Sequence, residues 1–97
     1  MRVKWLRGAL KDLDAEASYL ATEDVDLAQK TYSHIRDRGD LLGNFPQKGR
    51  PGRVPGTREL VLDRYPYIIP YRVKNDVVEI LRVFHTRRKL PKDWDIV

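Results

Sequence analysis

His85 and the cations around it are the residues of this sequence with the most specific chemistry. His85 closes an apolar run, Val77-Val-Glu-Ile-Leu-Arg-Val-Phe-His, with Arg82 three residues before it and Arg87, Arg88 and Lys89 behind it. Arg58 opens an earlier apolar segment. Metal-free cleavage of an RNA phosphodiester needs one group to take the 2′-OH proton and another to protonate the leaving oxygen. It also needs cations for the charge that develops on phosphorus. Histidine exchanges protons near neutral pH, and arginine grips phosphate bidentately. Glu59 and Glu79 are the carboxylates that could act as a base beside His85. The candidate catalytic set is therefore His85, Arg82 and Arg58. The same cations, together with Arg87 and Arg88, also make a docking surface for a large partner.

Each of these residues has a plainer reading. A histidine at a strand end is ordinarily a surface or capping residue, and His34, between Ser33 and Ile35 in a helical stretch, reads as structural. The Arg87-Arg88-Lys89 run suits a solvated terminus. Arg82 alternates with Ile80 and Phe84 and so shares their face. That face is either partly open or holds a carboxylate for Arg82. The open face is the expectation, because burying an unpaired arginine costs too much. Tyr67 and Tyr71 share a strand face with Ile69 and are expected to pack on helices rather than stack on bases.

The elements that must position these residues follow from hydrophobic period. Arg2 to Leu6 suits a short strand with Val3 and Trp5 on one face. Leu10, Leu13, Ala17 and Leu20 are spaced as the apolar stripe of a helix over about Gly8–Ala21, which leaves Lys11, Asp12, Asp14 and Glu16 for water. Asp24 is an N-cap, and Asp26 suits the first turn of a second helix. The stripe of that helix, Ala28, Tyr32, Ile35 and Leu42, runs toward Gly43. Gly39 should weaken its last turn by roughly 1 kcal/mol relative to alanine. The short link makes the two helices an antiparallel hairpin. Asn44 to Gly56, with three prolines and three glycines, is a long loop. It is not a phosphate-binding P-loop, since no Gly-Lys-Ser/Thr follows. Strands follow at about Arg58–Leu62, Tyr67–Val73 and Val77–His85, the last two joined through Lys74-Asn75-Asp76. Pro70 lacks a ladder donor and requires an edge or a bulge on its side of the strand. Residues 86–97 form a short basic tail with a final turn of helix near Trp94.

The order β-α-α-β-β-β predicts a two-layer α+β fold, a small antiparallel-rich sheet with a helical hairpin on one face. The other sheet face has no second layer and is the natural working surface. Ninety-seven residues make one domain, 1–97. No apolar run approaches the ~18–20 residues of a membrane span, and the charged N-terminus does not read as a signal peptide. The absence of cysteine excludes a disulfide framework and a thiolate metal site. Two histidines make a zinc site improbable, so no metal or cofactor is expected, and cysteine usage fits the cytoplasm. Residues 1–43 carry seven Lys/Arg against eight Asp/Glu, whereas residues 44–97 carry twelve against six. The basic second half attracts nucleic acid or an acidic protein surface.

Three stretches together resemble a known superfamily: Arg53-Val-Pro-Gly-Thr-Arg-Glu-Leu, Tyr67-Ile-Ile-Pro-Tyr-Arg-Val, and Val78-Glu-Ile-Leu-Arg-Val-Phe-His with Arg-Arg-x-x-Pro behind it. In order and spacing they are similar to the RelE/ParE toxins of type II toxin–antitoxin modules, often labelled plasmid stabilisation proteins. The resemblance covers essentially the whole chain and implies the same element order. It implies growth arrest by one of two routes. RelE-like members are metal-independent endoribonucleases that cut mRNA on the ribosome. ParE-like members poison DNA gyrase. His85 matches a strand-end histidine of some nucleases, but Thr86 stands where an aromatic often follows, and Ile68 where an arginine is common. Arg72 shares the face of Ile68. The Val-Pro-Gly-Thr-Arg-Glu-Leu turn and the His-Thr-Arg-Arg-x-x-Pro ending look more like ParE, so a gyrase inhibitor is expected and enzyme activity is not. On this reading Arg58, Arg82, His85, Arg87 and Arg88 are chiefly target-binding. The resemblance further implies a ParD-like or similar antitoxin in a hetero-oligomer. Its disordered tail would fold on the helical hairpin at Leu10, Leu13, Ala17 and Leu20.

Overall fold

The structure, a computed structural model, describes residues 1–88. Beyond Arg88 the expected basic tail, with its turn of helix and Trp94, lies outside the described residues. Strand β1 (Arg2–Trp5) leads directly into α1 (Arg7–Ala21) and, after a three-residue link, α2 (Val25–Asp40). The Asp24 carboxylate accepts the Leu27 N–H at 3.0 Å and caps α2, worth about 0.5–2 kcal/mol. Asp26 pairs with Lys30 one turn on, at 2.8 Å. The chain then forms β2 (Arg50–Pro51), β3 (Arg58–Val61), β4 (Tyr67–Lys74), β5 (Val77–Ile80) and β6 (Phe84–His85).

The strands lie in the order β1-β5-β4-β3-β2, with β6 paired to the start of β4. Among the described residues only the β1–β5 pairing is parallel, since the helical hairpin carries the chain back across the sheet before the remaining strands are laid down. Asn75 and Asp76 both adopt positive φ, 52° and 60°, in the tight turn joining β4 to β5. The core lies between hairpin and sheet: Ala9, Leu13 and Ile35 from the helices meet Leu60, Ile69, Tyr71, Val78 and Ile80 from the strands. The two-layer expectation holds, and the expected strands lie where the sequence puts them, except that the last is interrupted.

The structure departs locally from the expected elements in four places. The loop after the helices contributes β2, which pairs Arg50 with Glu59 and Pro51 with Arg58. The expected last strand breaks at residues 81–83. Pro70 sits mid-strand in β4, and its carbonyl accepts the Leu81 N–H at 2.9 Å. The nitrogen that has no hydrogen therefore faces the same neighbour, and that neighbour leaves the ladder there. Leu42 continues the α2 stripe from a 3-10 turn (Leu41–Gly43), not from the helix itself. Finally, α1 is rotated from the expected stripe. Its buried residues are Ala9, Leu13 and Glu16, and Leu10 is exposed.

Gly39 shows why a helix tolerates glycine near its end. A Cβ there would lie 2.5 Å from the Trp5 ring. The indole needs that space to donate Nε1–H to Asp40 at 2.8 Å, with the Arg36 guanidinium 4.9 Å from its ring centre.

Candidate functional site

Strand β6 places His85 opposite Tyr67 and Phe84 opposite Ile68. Cross-strand partners share a face, so His85 lies on the helix side of the sheet, its ring 5.1 Å from that of Tyr67 and edge-on to it. It borders a shallow depression lined by Asp12, Ala15, Glu16, Val83, Phe84 and Arg88. The expected working surface was the face turned away from the helices. The structure instead seats the histidine against α1.

Two carboxylates of α1 that the helical pattern assigns to water control this site. Asp12 accepts two hydrogen bonds from the Arg82 guanidinium, at 2.7 and 3.1 Å, and a third from the Val83 N–H at 3.0 Å. Arg82 lies over the Phe84 ring at 4.9 Å on its way there. Its face is therefore not simply open, as the sequence suggests; a carboxylate holds it, and that hydrogen bond raises the Arg82 pKa further. Glu16 is only 8% exposed. One of its oxygens accepts the Tyr67 O–H at 2.9 Å and the other the Arg88 guanidinium. Arg88 also lies 5.6 Å from the Tyr19 ring centre. Burial, reinforced by hydrogen bonding to an anionic carboxylate, pushes the Tyr67 hydroxyl pKa well above its usual value.

His85 is held neutral. Burial lowers its pKa, Arg88 and Arg87 add to the effect, and Glu16 opposes them. Its Nδ1 accepts the Arg87 N–H at 3.1 Å, which fixes the tautomer with the proton on Nε2. The carboxylates considered as its base are elsewhere. Glu59 binds Arg50 at 3.3 Å and the Arg53 N–H at 3.0 Å, and Glu79 binds Arg72 at 2.6 Å. Their neighbours in register put both on the sheet face opposite His85.

Arg58 does not join the cluster. It lies on β3, across β4 from β6, and donates to the Gly49 carbonyl at 2.8 Å. It braces the loop that also supplies the Pro46 carbonyl to the Tyr71 hydroxyl. The five expected residues thus divide: Arg82, His85 and Arg88 meet at α1, Arg87 is exposed beside them, and Arg58 is structural at the far side. Arg72 stays on the face of Ile68, tied to Glu79. Of the residues expected to meet an antitoxin, Leu13 is 1% exposed and belongs to the core, Ala17 and Leu20 are half-buried, and Leu10 faces outward. Asp12 and Glu16 are the residues sequence reasoning missed. Ala9, Leu13, Glu16 and Leu20 fit a helical period as well as the stripe it chose, with one polar member as the signal.

Among the described residues no group of His, Asp and Glu is arranged to hold a metal ion, and no helix is long and apolar enough to cross a membrane. The site offers a neutral imidazole beside two engaged arginines.

The architecture is that of a small toxin. It matches a chain of the chromosomal ParDE toxin–antitoxin system from P. aeruginosa with a TM-score of 0.82 and 34% identity, covering 90% of this chain and 97% of that one. A chain of the toxin–antitoxin complex RelBE2 from Mycobacterium tuberculosis matches with a TM-score of 0.52 and 27% identity, over 87% and 95% of the two chains. Residues 3–90 match the family described as ParE toxin of type II toxin-antitoxin system, parDE, and the chain belongs to that family, within the RelE/ParE superfamily. It is 44% identical over 91 residues to a protein of Sinorhizobium fredii named as the toxin Y4kP, covering 94% of each. It is 33% identical over 87 residues to Toxin RelE2 of Caulobacter vibrioides, covering 90% of this chain and 97% of that one.

Proposed function

We propose that this toxin arrests growth by binding DNA gyrase, in the cytoplasm, and that a ParD-like antitoxin made beside it neutralises it by occlusion in a hetero-oligomer. The observation that carries the target choice is the engagement of the basic cluster. Arg82 is held by Asp12 and Arg88 by Glu16, and the His85 Nδ1 is filled by a backbone N–H. A nuclease needs cations free for phosphate and two proton carriers in reach of one another. The carboxylates that border His85 among the described residues, Asp12 and Glu16, are both already engaged. The likeness to a ParDE chain supports the gyrase branch and the antitoxin together.

The alternative is ribosome-dependent mRNA cleavage. Two observations favour it: the kinship with Toxin RelE2, and an imidazole held neutral at pH 7, as a general base requires. A paired assay separates the two. Purified toxin is added to gyrase with relaxed plasmid and, in parallel, to a translating extract. Loss of supercoiling with intact message is the expected result. Cleaved message that becomes intact with His85→Ala, alongside unaffected gyrase, would establish the nuclease reading instead.

A further inference from the structure

Of the cations expected to meet the target, Arg82 and Arg88 are held by α1 and Arg58 by the 44–57 loop, whereas, among the described residues, other cations of the sheet are unengaged. On the sheet face away from the helices, pairing register sets residues in cross-strand rows. Arg2, Val77 and Lys74 form one row across β1, β5 and β4, and Lys4, Glu79 and Arg72 form the next. Glu79 is satisfied by Arg72 at 2.6 Å. Arg2, Lys4 and Lys74 are exposed, and among the described residues none has an ion-pair partner. Strand spacing puts Arg2 about 7 Å from Lys4 along β1 and about 10 Å from Lys74 across β5. The Arg2–Lys4 separation falls within the Debye length of about 8 Å at physiological salt and the Arg2–Lys74 separation lies just beyond it, so the three reinforce one another most at low salt. The nearby carboxylates are Glu79, already paired, and Asp76 in the adjoining turn.

At the other end of the same face the row is Phe84, Ile68 and Val61, of which Val61 is 46% exposed, Phe84 half-buried and Ile68 covered. The face thus grades from apolar to cationic. It suits a protein surface of matching pattern better than a nucleic acid. Among the described residues it presents no open aromatic row for base stacking, because Tyr67 and Tyr71 point into the core and Phe84 is half-buried with the Arg82 guanidinium over its ring. Glu79 lies between the cations, where a continuous phosphate track would meet it.

We propose that this face, through Arg2, Lys4 and Lys74, docks the toxin onto an acidic surface of its target protein, while the helix side is left to the antitoxin. The inference rests on the gyrase reading above and names the part of the toxin that carries it. Charge complementarity of this kind acts mainly on association rate and its salt dependence.

The test is the triple variant Arg2→Glu/Lys4→Glu/Lys74→Glu, with Arg2→Gln/Lys4→Gln/Lys74→Gln as the milder form should the first fail to fold. Both are checked by circular dichroism and assayed for inhibition of gyrase supercoiling and for binding to the antitoxin. The expected result is a loss of inhibitory potency on the order of tenfold or more for the glutamate variant, smaller for glutamine, shrinking at high salt, with antitoxin affinity unchanged. Unaltered inhibition by folded variants overturns the inference and leaves the gyrase reading intact. An equal loss of antitoxin affinity assigns the face to the antitoxin instead. A parallel loss of binding to duplex DNA alone assigns it to nucleic acid. A wild-type protein inert toward gyrase removes the target and this inference together.

Discussion

Replacing Gly39 by alanine should destabilise the protein, although helix propensity alone says the reverse. Gly39 lies in the last turn of α2, where alanine is favoured by roughly 1 kcal/mol. The added methyl would stand 2.5 Å from Cζ2 and 2.7 Å from Cη2 of Trp5, where contact distances begin near 3.5 Å. Either the helix shifts or the indole leaves. If the indole leaves, it gives up its hydrogen bond to Asp40 and its contact with the Arg36 guanidinium. Overpacking of this kind costs about 1–3 kcal/mol, so after the propensity gain of roughly 1 kcal/mol a net loss of up to about 2 kcal/mol remains. For a domain of this size that is a fall in Tm of up to roughly 15 °C. Urea unfolding followed by far-UV circular dichroism measures it directly. The cycle is completed in a Trp5→Leu background, where the clashing ring is gone and Gly39→Ala should become neutral or stabilising by up to about 1 kcal/mol. A stabilised Gly39→Ala protein with Trp5 present, or a cost that persists unchanged without Trp5, would refute the reasoning.

Glu16→Ala should cost about 2–3 kcal/mol by leaving the buried Tyr67 hydroxyl without its acceptor. Glu16→Gln, which keeps an acceptor oxygen, should cost clearly less, and thermal melts of the two variants check the order. Asp12→Ala should be more damaging than Arg82→Met in the same melts, because Asp12 also holds the Val83 N–H, whereas the methionine keeps most of the packing. Burial lowers the folded pKa of both His34 and His85. The unfolded chain therefore binds more protons, and stability is full above the ordinary histidine range and falls as pH drops through about 6.5 toward the folded values. Histidine proton NMR should find both midpoints below that of the unfolded chain. Burial raises Tyr67 and Tyr71, so that stability is present below about pH 10 and is lost as pH rises toward their folded values. Absorbance at 295 nm should show two of the five tyrosines ionising late.

The fold was legible because its signals are local and redundant. Asp24 caps α2 where its side chain and the following acidic turn say it should, and Asn75-Asp76 makes the turn its residue types favour. Pro70 signals that an edge or a bulge must lie beside it, but not that the neighbouring last strand is the element that breaks. The parallel pairing of β1 with β5 has no local signature, since it depends on how the helical hairpin returns the chain. The site was harder to read because a one-dimensional pattern ranks charged residues as exposed. Asp12 and Glu16 are exceptions that only their partners, residues 70 and 72 positions later, explain. Gly39 shows the same limit: the sequence records a weak helix former, and the reason for it is an indole from another element.

The pairing of Arg2–Trp5 with Val77–Ile80 also governs when the protein can become itself. During synthesis the two helices emerge early and can associate through local contacts. The first strand, however, has no hydrogen-bonding neighbour until residues near 80 have left the ribosome. Until then Leu13 and Ile35 lack the sheet that covers them, and the nascent chain is a sticky hairpin with a loose edge. Long-range closure of this kind is slow and exposed to aggregation. A binding partner already waiting at the hairpin would meet the chain before its sheet is complete, so that capture could begin during birth rather than after it.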